Sequence, residues 1–433
     1  MKKISILTIL ILMSFNTYAQ GIKFEQGTFN EAINKANKEN KLVFIDFYTV
    51  WCGPCKLMSA NIFPTKKAGD YFNDKFVSIK IDAEKGEGVA LAKKYGVQVY
   101  PTFLYINSSD KSEIGKIVGA YKSTELFIEA TKETIGDSDD NLKFPELYEI
   151  YGKEENKDPE FIKQLLFKGS SYIRSLDRME MAKLNVKLKN IAKTFFTKNK
   201  PELFFNEKGF SLISSYLSSG EDYTIPYFEF VCNNYEAFKE FVSVEELAYY
   251  IKFTNRAIIF NYCTQGNPKF RNHIEAIKGN LKQAYAAVPP IGKGDQINPY
   301  LETKFTSEAS FALSQNDYNG FLDWTEKNWA FKKNNNLLDA NSYWPVLSSL
   351  LIRAKGKLSN KQVSRCLKIV NKALKLDEKE IHLLEIQGDL FALQGEKNNA
   401  ITSYNKAINF AKGTRSEAYT KQVINKKIKD LKN

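Results

Sequence analysis

The sequence predicts two architectures in one chain, a mixed α/β domain over residues 20–136 and a large all-helical region after it. Three observations carry this. Lys41 to Tyr48 is an apolar, β-branched and aromatic run, the pattern of a buried strand, and it leads into Trp51-Cys52-Gly53-Pro54-Cys55. Gly136-Asp-Ser-Asp-Asp-Asn141 is a polar break. Beyond it apolar residues recur at three- and four-residue spacing, as in Phe161-Ile-x-x-Leu165-Leu, Met181-x-x-Leu184 and the stretch from Val242 to Phe260. The expected organisation is a leader over 1–19, the α/β domain over 20–136, a linker over 137–142, a helical domain over 143–345 and helical repeats over 346–433.

The cysteine pair carries the chemistry. Two cysteines separated by two residues fit the first turn of a helix, close enough to form and break a disulfide. Free backbone N–H groups and the helix dipole there lower the pKa of the first thiol, and the thiolate is the attacking species in disulfide exchange. A strand running into such a helix is the context that favours redox chemistry. Zinc needs about four ligands, and only three other cysteines and two histidines exist, with Cys232 the nearest cysteine. Haem attachment needs histidine after the second cysteine, where Lys56 stands. An inert structural disulfide fits poorly with a Gly-Pro pair at a helix start. Asp46 lies inside the apolar strand, where an unpaired carboxylate is costly. Burial would raise its pKa toward neutrality and suit it to moving a proton; the alternative is an aspartate at an exposed edge.

Residues from about 22 to 136 resemble the thioredoxin family. Phe44 to Lys56 resembles its strand, buried acid and active-site helix; Phe76-Val-Ser-Ile-Lys-Ile-Asp82 its next central strand. Leu91-Ala-Lys-Lys-Tyr-Gly96-Val resembles the following helix end. Val99-Tyr-Pro101-Thr-Phe-Leu-Tyr-Ile106 resembles the strand that opens on a cis-proline, with Gly119 in the hairpin region after it. The resemblance implies a central mixed sheet flanked by helices and a thiol–disulfide oxidoreductase. It makes Cys52 the exposed nucleophile and Cys55 the more buried thiol that resolves the mixed disulfide. It makes Asp46 the proton relay for Cys55, and Trp51, Gly53, Pro54, Tyr100 and Pro101 the substrate-facing surface. No cofactor or metal is implied. The expected partners are protein disulfides and an upstream thiol electron donor, such as a membrane thiol reductase.

Two positions depart from the family. A lysine common four residues before the acid matched by Asp82 is replaced by Ser78, with Lys80 displaced on the same strand face, which implies a differently tuned relay. Tyr100 is bulky where small or β-branched residues are common, which implies narrower substrates. The segment continuing through Asn61-Ile-Phe-Pro64 to Ala68-Gly-Asp-Tyr-Phe72, with Asp82 to Gly88, resembles periplasmic thioredoxin-like domains more than the minimal cytosolic form.

Met1-Lys-Lys followed by a short apolar core and Thr17-Tyr-Ala19 reads as a cleavable secretory signal, with a periplasmic or secreted destination. No cysteine follows the cleavage site and no later stretch has the length of a membrane span. The formal charge of +12 is spread along the chain among acids. Without a basic tail or clustered arginines, solvated helix faces account for it better than nucleic acid does.

Near the carboxy end, Leu384-x-x-x-Gly388-Asp-x-Phe391-x-x-x-Gly395-x-x-x-x-Ala400-x-x-x-Tyr404-x-x-Ala407 resembles a tetratricopeptide (TPR) motif. One 34-residue period earlier, Cys366, Val370 and Ala373 fall on the positions of Ala400, Tyr404 and Ala407. Cys366 is therefore expected as a buried helix contact, and Asn316-Asp-Tyr-x-x-Phe321 as a degenerate repeat. Such repeats offer a protein partner a groove; the competing reading is a helical domain that only packs. Cys232 and Cys263 are expected as free buried thiols, with a disulfide between them as the alternative. Pro289 to Asp295 lacks the phosphate-loop ending and reads as a loop. His273 and His382 are isolated. The function expected is an exported thiol–disulfide oxidoreductase that reduces or isomerises protein disulfides. The alternatives are a disulfide oxidase, or a thioredoxin-fold adaptor whose helical repeats bind a partner.

Overall fold

The computed structural model describes residues 21–137, 142–153, 158–288, 297–414 and 416–432. The leader, most of the linker and the loop at Pro289 to Asp295 lie outside the described residues. The chain forms two compact units, the described parts of Met1–Thr254 with Gln283–Pro289, and of Asn255–Lys282 with Pro290–Asn433.

The first unit is built on five strands: β1 (Phe24–Glu25), β2 (Leu42–Tyr48), β3 (Phe76–Asp82), β4 (Thr102–Ile106) and β5 (Glu113–Val118). Their order is β1-β3-β2-β4-β5, with β1, β3 and β2 parallel and β4 and β5 antiparallel. The central β2 is covered on both faces, which is why it reads as a continuous apolar run. Side chains alternate along it. Val43, Ile45 and Phe47 pack with Phe29, Ile33 and Ala36 of α1 (Phe29–Glu39) and Ala92 of α4 (Glu87–Lys94). Phe44 points the other way, toward Phe72 of α3 (Lys66–Lys75) and Phe127 of α5 (Thr124–Ile135). Asp46 shares that second face.

Between β2 and α3 lie α2 (Gly53–Leu57) and a wide π turn over Met58–Ile62. A capping box of Thr28 and Glu31 starts α1, and Asn40 ends it in the left-handed region. Ser123 starts α5 by accepting the Leu126 N–H, and Gly136 ends it at φ +75°.

The same unit continues through α6 (Phe144–Lys153), α7 (Pro159–Tyr172), α8 (Arg178–Lys198), α9 (Glu207–Tyr216), α10 (Ile225–Asn233) and α11 (Tyr235–Phe238) into α12 (Val244–Thr264). These helices are tied to the sheet domain by polar contacts. Ser123 Oγ lies 2.6 Å from Ser211 Oγ, Lys67 pairs with both Glu125 and Glu207, and Glu246 accepts the Thr124 N–H.

The second unit holds the end of α12, then α13 (Phe270–Ala276), whereas α14 (Lys282–Ala287) falls almost wholly in the first. Two helical hairpins follow, α15 (Pro299–Ser314) with α16 (Tyr318–Asn334) and α19 (Ile381–Leu393) with α20 (Lys397–Ala411), with α17 (Trp344–Ala354) and α18 (Asn360–Leu374) between them and α21 (Glu417–Lys432) after them. Cys366, Val370 and Ala373 are buried with Leu383 and Leu390, and Ala400, Tyr404 and Ala407 with Leu384 and Ile424. Cys366 is a free thiol within that helix contact.

Gly388 decides how closely α19 and α20 approach. A Cβ there would lie 2.3 Å from Tyr404 Cε1, inside the ring's contact radius. The ring cannot easily yield, because its hydroxyl donates to Asp389 Oδ1 at 2.6 Å, and Asp389 is paired with Lys427. Gly388→Ala is expected to destabilise the second unit by about 1–3 kcal/mol, overcoming alanine's roughly 1 kcal/mol helix advantage. Urea unfolding of the native chain and the variant checks this.

Candidate active site

Cys52 and Cys55 form a disulfide where β2 gives way to α2, with Cα atoms 5.3 Å apart. Cys52 is the N-cap of α2, and its sulfur accepts the Cys55 N–H at 3.1 Å. Pro54 sits in the first helical turn, where its missing N–H costs nothing. Gly53 and Pro54 are exposed.

The expectation of an exposed Cys52 and a more buried Cys55 does not hold. Their exposures are 2% and 4%. In the closed disulfide each sulfur shields the other, and the Cys52 sulfur turns inward to meet the Cys55 N–H. The same N–H would favour a thiolate on Cys52 once the bond opens.

Asp46 is fully buried on β2, 1% exposed. Loss of solvation pushes its pKa up from 3.8 to about 6, opposed by the Lys80 ammonium. Lys80 stands opposite Asp46 in the β2–β3 register, with Nζ 3.3 Å from Oδ2. This is an ion pair without hydrogen-bond alignment, since neither carboxylate oxygen has a hydrogen-bond partner. Lys80 also donates to Ser59 Oγ at 2.6 Å and lies over the Phe24 and Phe63 rings. Displaced from the family position, this lysine still reaches the buried acid. Ser78 keeps a buried hydroxyl with no hydrogen bond.

The peptide bond before Pro101 is cis. Tyr100 is half-buried and Pro101 buried. Trp51, 64% exposed, meets the Tyr100 ring edge-on at 6.1 Å, and its Nε1 donates to Glu84 Oε2 at 2.9 Å. Val50 and Val99 add exposed apolar surface. The structure thus places Trp51 and Tyr100 together next to Cys52 and Pro101 in the chain. Sequence reasoning singled out Lys80 as the displaced lysine that would tune the relay, and missed Glu84, which loop closure brings to Trp51. Strict alternation on Phe76 to Asp82 was the one signal that put Lys80 on the Asp46 side.

The remaining cysteines are free. Burial pushes the thiols of Cys232 and Cys263 up to about 12 and that of Cys366 up to about 11, so they hold little thiolate at neutral pH. His273 Nδ1 lies 3.0 Å from Asn255 Oδ1, and His382 stacks on Trp344. Among the described residues no group of histidine, cysteine or acidic side chains could hold a metal ion.

A strand-to-helix Cys-x-x-Cys disulfide backed by a buried acid on a central mixed sheet is the machinery of a thiol–disulfide oxidoreductase. The thioredoxin family model matches residues 20–132. Over 94 residues the chain is 36% identical to a thioredoxin H-type of Brassica campestris, covering 22% of this chain and 70% of that one. It is 32% identical over 96 residues to thioredoxin-1 of Drosophila melanogaster, covering 22% and 83%. A solved structure described as a putative disulphide-isomerase from Bacteroides thetaiotaomicron is 47% identical, covering 28% of this chain and 98% of that one, with a TM-score of 0.26. The chain belongs to the thioredoxin family, as a thiol–disulfide oxidoreductase with a long helical extension.

Proposed function

We propose that this protein is an exported enzyme that reduces or isomerises protein disulfides, with Cys52 attacking and Cys55 resolving. The observation that carries this reading is the Cys52–Cys55 disulfide with Asp46 buried on the strand that leads into it. In the reduced protein the Cys52 thiolate attacks one sulfur of a substrate disulfide. A Cys52–substrate bond forms, and the other substrate sulfur leaves as a thiolate and takes up a proton. Asp46, with its pKa raised to about 6, then accepts the Cys55 proton. The Cys55 sulfur displaces the substrate from Cys52, closing the Cys52–Cys55 bond. The substrate has gained two electrons and two protons, and an external thiol reductant must supply the next pair.

Trp51, Gly53, Pro54, Tyr100 and Pro101 form the surface on which the substrate chain lies. The reducing direction is supported by the Gly-Pro dipeptide, which resembles thioredoxins poised near about −270 mV rather than oxidants near about −120 mV. Export is supported by the basic and apolar start of the sequence. Among the described residues no helix is long and apolar enough to cross a membrane.

Insulin reduction in dithiothreitol tests the reading. The native chain is expected to accelerate it and Cys52→Ser to fall to the uncatalysed rate; equal rates for the two overturn it. A Cys52–Cys55 potential above about −200 mV would favour the oxidase instead. A second reading, a protein partner docked on TPR-like hairpins, draws on a cleft of about 310 Å³ among Phe305, Leu313, Phe321 and Val346 of α15, α16 and α17.

A further inference from the structure

Gly119 ends β5 at φ +91° and donates its N–H to the Pro101 carbonyl at 2.8 Å. Two residues on, the Tyr121 N–H meets Met58 Sδ at 3.2 Å, just beyond α2. The segment from Gly119 to Tyr121 therefore runs from the cis-proline to the disulfide helix, along one rim of the exchange site.

Arg174, just after α7, lies on this rim. Its Nη1 is 3.0 Å from where a Cβ on Gly119 would stand, and its guanidinium lies over the Tyr121 ring at 4.3 Å. A side chain at position 119 would push it away, so glycine there admits the guanidinium as well as the positive φ. Among the described residues Arg174 makes no hydrogen bond and no ion pair, and its Nε is buried without a partner. Glu133, which also faces Tyr121, is paired with Lys168 at 3.7 Å. A half-buried guanidinium carries five donors arranged to grip a carboxylate, and leaving them unmade is costly.

The surroundings reinforce the charge. Lys122 is exposed as a residue, yet its ammonium is committed to Ser218 Oγ at 2.8 Å and the Ser214 carbonyl at 3.3 Å. Loss of solvation, then Arg174 and Lys189, lower its pKa to about 8. Of the two cations facing each other here, Lys122 has its ammonium committed and Arg174 keeps its donors uncommitted.

We propose that Arg174 is a specificity-determining residue of the exchange reaction, receiving an acidic side chain that flanks the substrate cysteine attacked by Cys52. The inference rests on the reading of Cys52 as the attacking thiol. The competing role is purely structural, a cation–π clamp holding the α7 segment against Tyr121. A clamp would affect stability and leave substrate choice alone.

The test uses the full chain carrying Cys55→Ala, so that Cys52 retains its substrate. Two disulfide-containing peptides, identical except for Glu or Lys beside the cysteines, are compared by the rate of mixed-disulfide formation in mass spectrometry. At low salt the Glu peptide is expected to react on the order of tenfold faster, an advantage that shrinks as salt rises. Arg174→Gln should lower the ratio about threefold or more, Arg174→Glu should invert it, and Arg174→Lys should keep part of it. An unchanged ratio in Arg174→Gln overturns the proposal. Equal rates for the two peptides with Arg174 intact overturn it too, without relying on any change at that position. Failure of both peptides to react would instead remove the reading of Cys52, and this inference with it.

Discussion

Asp46→Asn is expected to stabilise the protein by about 3 kcal/mol at pH 8 and to leave its stability nearly unchanged at pH 4. The carboxyl is buried, neither oxygen has a hydrogen bond, and its pKa is raised from 3.8 to about 6. A raised carboxylate pKa means that the folded state binds the proton more tightly than the unfolded chain. Below about pH 4 both states are protonated and the burial of Asp46 carries no charge penalty. Between about pH 4 and 6 the unfolded chain ionises while the folded one resists, so stability falls as pH rises. Above about pH 6 the full penalty is present. Asparagine is nearly the same shape and never ionises, so it removes the penalty. Lys80, which loses its ion pair, keeps Ser59 and a partly exposed position. Urea unfolding of the oxidised native and variant chains at the two pH values checks this; a difference that does not change with pH would sink it. If Asp46 accepts the Cys55 proton as proposed, the same substitution slows exchange, the trade expected where a buried charge is kept for chemistry.

Phe44→Ala is expected to cost about 3–5 kcal/mol of the first unit's stability. The ring is fully buried on the Asp46 face of β2, 4.8 Å from Phe72, 5.6 Å from Tyr105, 5.9 Å from Phe103 and 6.1 Å from Phe127. These neighbours come from α3, β4 and α5, so removing the ring leaves a cavity bounded by a sheet and two helices that cannot all collapse inward. Phe44→Leu keeps much of the volume and should lose far less. Chemical denaturation of both variants checks the order, and equal losses would show that the cavity collapses.

Much of the site was legible because local chemistry dictates it. Leu42 to Tyr48 has no stable place except between two covered layers, and an acid inside it stands out against that pattern. The Cys-x-x-Cys spacing matches one helical turn. What sequence could not show were partners from elsewhere in the chain. Lys80 reaches Asp46 only because β3 pairs with β2 in one register, a shift of one residue in which would turn it to the other face. Glu84 reaches Trp51 through the loop after β3. The burial of Cys52 is likewise tertiary, since it depends on the direction its sulfur takes in the closed disulfide.

The polar break after Gly136 was readable, yet the compact unit runs on to Thr254, joined by Ser123–Ser211, Lys67–Glu207 and Thr124–Glu246. These contacts are long-range and polar, and nothing in a local window announces them. By itself the sequence determined the redox pair, the buried acid and the helical character of the extension, because these follow from spacing, apolarity and periodicity along the chain. The tertiary structure alone decided which charge faces Asp46, which surface rims the disulfide and why Arg174 lies against Gly119. Those outcomes depend on strand register and helix packing, which bring together residues that are distant in sequence.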